Sequence, residues 1–219
     1  MKKIKIVLVD DHNIVRDGFK NLLMNLTDIK VIGEASTGGD LFNLLKKIIP
    51  DILLMDITLP NMNGIAITEK LRIDYPDIKV IMLTANVDDE SVFDSFKAGA
   101  LGYLPKNIQF DELVEAIRSV YEGNEYIARS ISDVVLKNYF NRNKIGGNIH
   151  FRSKQELTKR ELQVIESFAG GFSYKEIADQ LNISIHTVES HKKNILEKLE
   201  LNSIVDLVKY AIKHGIINL

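Results

Sequence analysis

The 219-residue chain contains no cysteine. That single absence removes disulfides, thiolate zinc sites, iron–sulfur clusters and cysteine nucleophiles. No apolar run approaches the ~18 residues that a membrane helix needs. The start, Met1-Lys2-Lys3-Ile4-Lys5-Ile6, interleaves charge with a short apolar run and lacks a secretory core followed by small residues. A cytoplasmic protein is expected. A Gly-x-x-x-x-Gly-Lys-[Ser/Thr] loop and a Gly-x-Gly-x-x-Gly fingerprint are both missing, so a nucleotide pocket has no support. No internal repeat is evident. What remains is the composition of an ordinary globular protein, 45% hydrophobic and 26% charged, with length for one or two domains.

The net charge of −2 is unevenly spread. Residues 1–129 hold 15 Lys+Arg against 20 Asp+Glu, residues 130–154 hold 5 against 1, and residues 155–219 hold 8 against 9. This balance does not by itself announce nucleic-acid binding. The middle segment includes Ile145-Gly146-Gly147-Asn148, a polar, glycine-containing stretch that reads as a linker.

The first 125 residues alternate short β-rich runs with amphipathic stretches. Strands are expected at Ile4–Val9, Lys30–Ala35, Asp51–Met55, Lys79–Leu83 and Gly102–Leu104. Helices are expected at Ile14–Leu26 (with Asn13 as N-cap), Leu41–Ile49, Gly64–Tyr75, Ser91–Ala98 and Glu112–Tyr121. A continuous apolar run such as Ile52-Leu53-Leu54-Met55 suits a strand buried on both faces. Five parallel strands in a doubly wound α/β sheet follow. The last 65 residues lose the β pattern. Thr158-Lys-Arg-Glu161 and Ser173-Tyr-Lys-Glu176 are capping boxes, and Ser184 and Ser203 cap two further helices, the last stopped by Gly215. Ile131–Phe140 reads as a connecting helix. The resulting domains are 1–125, a linker at 126–154, and an all-α domain of four helices at 155–219.

In an open α/β sheet, ligands bind beyond the carboxyl ends of the strands, where strand order reverses. The first strand ends in Asp10-Asp11, the third in Asp56 and the fourth in Thr84, and the fifth runs into Lys106. A flavodoxin-like order, 2-1-3-4-5, gathers Asp10, Asp11 and Asp56. Three neighbouring carboxylates repel one another, and a hard cation such as Mg²⁺ resolves this. With the Lys106 ammonium and the Thr84 hydroxyl, the set suits a phosphoryl group in transfer. One carboxylate is then the nucleophile. Taken alone, Asp10-Asp11 would be an ordinary turn at a strand end; five suitable residues at matching strand ends are a stronger signal.

Four stretches carry a family resemblance: Val9-Asp10-Asp11-His12, Leu53–Gly64 with Asp56 inside it, Met82-Leu83-Thr84-Ala85, and Ala98–Lys106 with its Leu104-Pro105-Lys106 ending. The first ~125 residues resemble the receiver domain of two-component response regulators. The resemblance implies that Asp56 is the phosphoacceptor, and that Asp10, Asp11, Asp56 and the Thr58 carbonyl hold Mg²⁺. It also implies that Thr84 and Lys106 contact the phosphoryl group, that Tyr103 is an aromatic switch swinging inward as Thr84 moves, and that Pro60 and Gly64 shape the loop after the acceptor. Taken alone, Tyr103 would be a buried or edge aromatic. Haloacid-dehalogenase-like phosphatases share a strand-end aspartate, but need a second acid two residues on, where this chain has Thr58.

Ser173–Leu199 reads as two helices joined through Asn182-Ile183-Ser184, a tight turn that Asn182 suits. Ala178 is small at the crossing, and Ile177, Leu181, Ile183 and Val188 pack between the helices. The exposed face of the second helix then carries Thr187, Ser190, Lys192, Lys193 and Asn194, a surface for phosphates and base edges or simply a solvated face. The run Glu156–Glu161, Gly170–Ala178 and Leu181–Ile195 resembles the LuxR-type helix-turn-helix. Both domains in this order resemble NarL/FixJ response regulators. The resemblance makes Ser184–Leu199 the recognition helix, with Glu189, Ser190 and Lys193 near base edges and Lys192 or His191 near phosphates. In the last helix, Ile204, Leu207, Val208, Ala211 and Ile212 form one stripe and Val205 lies outside it. A second apolar face at Val205, Val208 and Ile212 would serve a homodimer; a core helix with one exposed valine is the plainer alternative.

These readings together describe a DNA-binding transcriptional regulator, phosphorylated by a sensor histidine kinase and dimerising on phosphorylation. Its only catalysis would be its own Mg²⁺-dependent phosphoryl transfer and dephosphorylation. A constitutive DNA-binding regulator with its receiver kept as a dimerisation module is the alternative.

Overall fold

The computed structural model describes residues 3–86, 89–131, 157–213 and 216–217. The chain divides into two compact units, Met1–Ala128 and Arg129–Leu219.

The first unit alternates β1 (Ile4–Val9), α1 (Asn13–Leu23), β2 (Ile29–Ala35), α2 (Gly38–Leu45), β3 (Ile52–Asp56), α3 (Gly64–Asp74), β4 (Lys79–Thr84), α4 (Asp89–Ala98), β5 (Gly102–Pro105), α5 (Phe110–Tyr121) and β6 (Tyr126–Ile127). The six strands form one sheet in the order β2-β1-β3-β4-β5-β6, with every pairing parallel. The reversal of winding falls between β1 and β3, where the α/β rule places a ligand. All five residues of β3 are buried. Both its faces are therefore covered, and each buried aliphatic side chain stabilises the fold by about 2 kcal/mol. α1 packs on β1 and β2, and α5 on β3, β4 and β5.

The sheet has one strand more than the five expected. After α5 the chain turns through Gly123 at φ 96°. The Tyr126 amide then donates to the Leu101 carbonyl (2.8 Å) and the Ala128 amide to that of Tyr103 (3.1 Å). The β5 edge is thereby paired rather than left open. The residues expected to begin the linker thus belong to the sheet.

Helix α1 starts at Asn13, with His12 as the cap residue and no side-chain capping bond. Asn13, expected to cap it, instead accepts a hydrogen bond from Arg16. The helix ends at Leu23, short of Leu26, and Ile14 and Leu22 face solvent. α2 lies at Gly38–Leu45 rather than Leu41–Ile49, because Thr37 caps it through the Asp40 amide.

The second unit holds α6 (Lys159–Ala169), α7 (Tyr174–Leu181), α8 (Ile185–Leu199) and α9 (Ile204–Lys213). Both capping boxes form, Thr158 with Glu161 and Ser173 with Glu176. Ser184 caps α8 through the Thr187 amide, and Ser203 accepts from the Asp206 amide at the start of α9. Asn182 takes the left-handed conformation at φ 52° and turns α7 into α8. Ile177, Ala178 and Val188 are buried at that crossing, while Leu181 and Ile183 stay partly exposed. Of the expected connecting helix Ile131–Phe140, only Ile131 lies among the described residues, and Gly215 lies outside them.

Candidate functional site

Parallel pairing in register brings the carboxyl ends of β1, β3, β4 and β5 to one edge. Asp10 follows β1 and is 2% exposed; Asp56 ends β3 and is 3% exposed. Lys106, just past β5, reaches between them, with Nζ 2.7 Å from Asp10 Oδ2 and 2.9 Å from Asp56 Oδ2. The Lys106 amide donates to the Thr84 carbonyl (2.7 Å), which locks β5's end to β4's. Arg16 of α1 donates through Nη1 to the Asp10 carbonyl (2.5 Å). The Thr58 amide donates to Asp56 Oδ1 (3.3 Å). Each Asp56 oxygen thus has a partner, and the carboxylate is held at the bottom of the edge.

The electrostatics follow from burial. Loss of hydration, aided by the charge of Asp10, pushes the Asp56 carboxyl above its usual value despite the opposing hydrogen bond from Lys106. Burial also pulls the Lys106 amine down, but hydrogen bonds and attraction from Asp10 and Asp56 outweigh it and leave the amine above its usual value. Asp10 and Asp56 share the Lys106 ammonium and Asp11 adds a third carboxylate beside them, so acidic groups outnumber that one amine in the cluster.

Asp10, Asp11, His12 and Asp56 can each turn one ligand atom inward, all within 4.8 Å of one another. Three hard carboxylates and a net negative charge fit a divalent cation of the Mg²⁺ kind. The sequence reading of the cluster contained the three aspartates but not His12. Nothing in residue type or spacing distinguished His12 from any exposed histidine beside a strand end.

Thr84 is 5% exposed. Its hydroxyl donates to the Asn86 carbonyl and accepts from the Asn86 amide (3.2 Å). Tyr103 is wholly buried, so any motion it makes is a repacking within the core rather than a swing in from solvent. Gly64 opens α3 directly over the acceptor strand, with its amide donating to the Ile57 carbonyl (2.8 Å). A Cβ there would lie 2.1 Å from the Asp56 carbonyl oxygen.

In the second unit, the exposed face of α8 carries His186, Ser190, Lys193, Asn194 and Glu197. These recur at three- and four-residue intervals on one stripe. Thr187 is turned into the cap instead, its hydroxyl 2.8 Å from that of Ser184. Lys192 lies over the Tyr174 ring, 5.7 Å from its centroid, and His191 is half-buried. Glu189 stands 3.4 Å from His186 Nδ1. His186 lies inside the motif run but one residue before Thr187, the first position to which the sequence assigns a contact. α8 is fixed to α6 by Lys198, whose Nζ is 3.0 Å from Glu161 Oε2. The same Glu161 oxygen accepts the Thr158 amide of the capping box (2.6 Å). Arg160 donates to the Leu181 carbonyl (2.5 Å), holding the turn before α8.

Val208, expected on a second apolar face of α9, is buried inside its own domain at 7% exposure. The stripe of α9 needs that side chain for its core, so it is not available to a partner. The side chains of Val205 and Ile212 lie outside the described residues. Among the described residues, no helix is long and apolar enough to cross a membrane.

Residues 6–118 match the response regulator receiver domain family, and residues 155–211 the luxR family of bacterial regulatory proteins. Oxygen regulatory protein NreC of Staphylococcus carnosus (strain TM300) is 35% identical over 216 residues, covering 98% of this chain and all of the relative. Among solved structures, the RcsB response regulator of Salmonella typhimurium matches with a TM-score of 0.60 at 26% identity, over 96% of this chain and 98% of that one. RcsB solved as a complex with DNA matches with a TM-score of 0.59 at 25% identity, over 95% and 98% of the two chains.

Proposed function

Because this chain belongs to the two-component response regulators of the NarL type, with a receiver domain followed by a LuxR-type DNA-binding domain, we propose that phosphorylation of Asp56 controls its binding to DNA. The observation that carries this reading is the Asp56 carboxylate at the strand-reversal edge, 3% exposed, with the Lys106 amine 2.9 Å away. A buried nucleophile beside a fixed cation needs only a donor brought into line.

The donor would be a phosphohistidine of a sensor kinase. An Asp56 oxygen attacks phosphorus; the P–N bond breaks as the P–O bond forms, and the departing imidazole takes up a proton. The product is an acyl phosphate. Asp10, Asp11, Asp56 and the Thr58 carbonyl would hold Mg²⁺, which when bound offsets the charge on the phosphoryl oxygens. Lys106, released from sharing two carboxylates, donates to one phosphoryl oxygen. The Thr84 hydroxyl exchanges its Asn86 partner for another. The loop after β4 then shifts, and the core around Tyr103 repacks. The added charge, about −1.5 to −2, is confined to this edge, which makes the β4–β5 surface the element that changes state.

The output is α8 laid in the major groove, with Glu189, Ser190 and Lys193 toward base edges and Lys192 or His191 toward phosphate. His186 shares the exposed stripe with Ser190 and Lys193. The DNA complex of RcsB supports this use of the domain. A kinase partner, dimerisation on phosphorylation and a cytoplasmic location complete the reading.

The test is mass spectrometry of the full chain after incubation with acetyl phosphate and Mg²⁺, followed by footprinting and sedimentation. One phosphoryl group should be added, and none to Asp56→Asn. An undiminished mass shift in that variant overturns the assignment. Phosphorylation that changes neither DNA affinity nor sedimentation would favour a constitutive regulator instead.

A further inference from the structure

We propose that His12 supplies a nitrogen ligand to the divalent cation held by Asp10, Asp11 and Asp56, and so tilts this site from Mg²⁺ toward Mn²⁺. The inference rests on the metal-dependent reading of the site given above.

Three observations place the imidazole there. First, His12 is the cap residue of α1, yet its side chain makes no capping bond. Its ring is turned to the acidic cluster, with Nδ1 2.7 Å from Asp11 Oδ1 and 3.2 Å from Asp10 Oδ1. Second, the backbone sets this direction, because the His12 amide donates to the same Asp10 Oδ1 (2.9 Å). Third, the two oxygens of Asp10 are divided between opposite partners. Oδ2 faces Lys106, while Oδ1 faces His12. The ring therefore approaches the cluster without competing with the lysine.

The spacing suits shared coordination. Two ligands on one edge of an octahedron with bonds of about 2.1 Å stand about 3 Å apart. The nitrogen–oxygen separations of 2.7 and 3.2 Å bracket that edge. The ring is 63% exposed, so an entering ion meets it before the buried aspartates. Carboxylate and water ligands suit Mg²⁺ and Mn²⁺ alike, whereas imidazole is a softer ligand that Mn²⁺ accepts more readily than Mg²⁺.

A simple hydrogen bond from His12 to Asp11 would produce the same distances, so the test must see the metal–nitrogen bond itself. Pulsed electron paramagnetic resonance on the full-length protein with Mn²⁺ reads nitrogen modulation from a directly bound imidazole. The modulation is expected in the unaltered protein and absent in His12→Ala. Calorimetric titration should show Mn²⁺ affinity falling about tenfold in His12→Ala, with a smaller loss for Mg²⁺. His12→Gln, which keeps polarity without the ring, should behave as His12→Ala does. Mn²⁺ that binds the unaltered protein without nitrogen modulation overturns the role of His12 and leaves the aspartate site standing. Equal losses for the two ions in His12→Ala also overturn it. Failure of the unaltered protein to bind Mn²⁺ or Mg²⁺ at all overturns the metal site itself.

Discussion

Replacing Gly64 by alanine should damage the acceptor site although Gly64 itself carries no chemistry. Two opposing effects need weighing. Alanine in the first turn of α3 removes unfolded-state freedom and favours the helix, together worth about 1 kcal/mol of stabilisation. Against this, the new Cβ would stand 2.1 Å from the Asp56 carbonyl oxygen, 3.0 Å from its carbonyl carbon and 3.2 Å from Ile57 Cα. All three are backbone atoms, so no side-chain rotation relieves the contact. Restoring even 3.0 Å requires about 0.9 Å of separation between the end of β3 and the start of α3, an overpacking costing about 2–3 kcal/mol. The 2.8 Å bond from the Gly64 amide to the Ile57 carbonyl stretches as well. The clash outweighs the helix gain, for a net loss of about 1–2 kcal/mol and a fall of roughly 4–8 °C in the receiver transition. Because the displaced atoms belong to Asp56, initial phosphorylation by acetyl phosphate should slow about a hundredfold. Scanning calorimetry and time-resolved mass spectrometry read the two effects. A Gly64→Ala protein of unchanged Tm and unchanged labelling rate would refute the reasoning.

Asp56→Asn should raise Tm at neutral pH while abolishing labelling. The Asp56 carboxyl is raised in the fold, so its contribution to stability is present below the ordinary carboxyl range and lost as pH rises through the raised value; calorimetry across pH should show the variant's advantage disappearing in acid. Glu161→Gln should destabilise the helical domain by about 2 kcal/mol at neutral pH, because Glu161 accepts from both Thr158 and Lys198. Hydrogen bonds and the Lys198 charge hold the Glu161 carboxyl below its usual value against the opposing effect of burial. Its stabilisation is therefore present above that usual value and fades as pH falls through the lowered one, and parallel acid melts of the two proteins would contradict this. Lys193→Ala should reduce the slope of log affinity against log salt by about 0.9 if the lysine meets a phosphate, or relax discrimination at one base pair if it meets a base edge. Unchanged binding curves would remove this face of α8 from the groove.

Most of the receiver was legible because its signals are local and redundant. A run such as Ile52–Met55 suits a strand buried on both faces, and the residue that ends it points to the sheet edge. The two capping boxes were equally readable, since each is closed within four residues. Other features were not. β6 is two residues long, too short for any periodicity, and exists because β5 offers an unpaired edge. The cap position of α1 falls on His12 rather than Asn13, and the Asn13 side chain instead accepts from Arg16. Helical spacing places Thr187 on the exposed face because it does not foresee the contact with Ser184. The place of His12 in the acidic cluster depends on a side-chain direction that no spacing rule supplies.

The strand order has a consequence for synthesis. After β1 and β2 pair, β3 adds to the free edge of β1, and β4, β5 and β6 each add to the edge left by the strand before. Translation delivers them in that same sequence, so the sheet can grow outward from the ribosome one strand at a time, without inserting a late strand between two early ones. On the growing side, the hazard lasts through each interval in which the newest strand is an open edge. It is greatest once Ile52–Met55 has docked and the segment Lys79–Thr84 is still unmade. At the usual elongation rate of about 5–20 residues per second, that exposure lasts roughly 1–6 seconds. Slowing translation across residues 57–84 should therefore increase aggregation of the nascent chain more than an equal pause placed after Ile127.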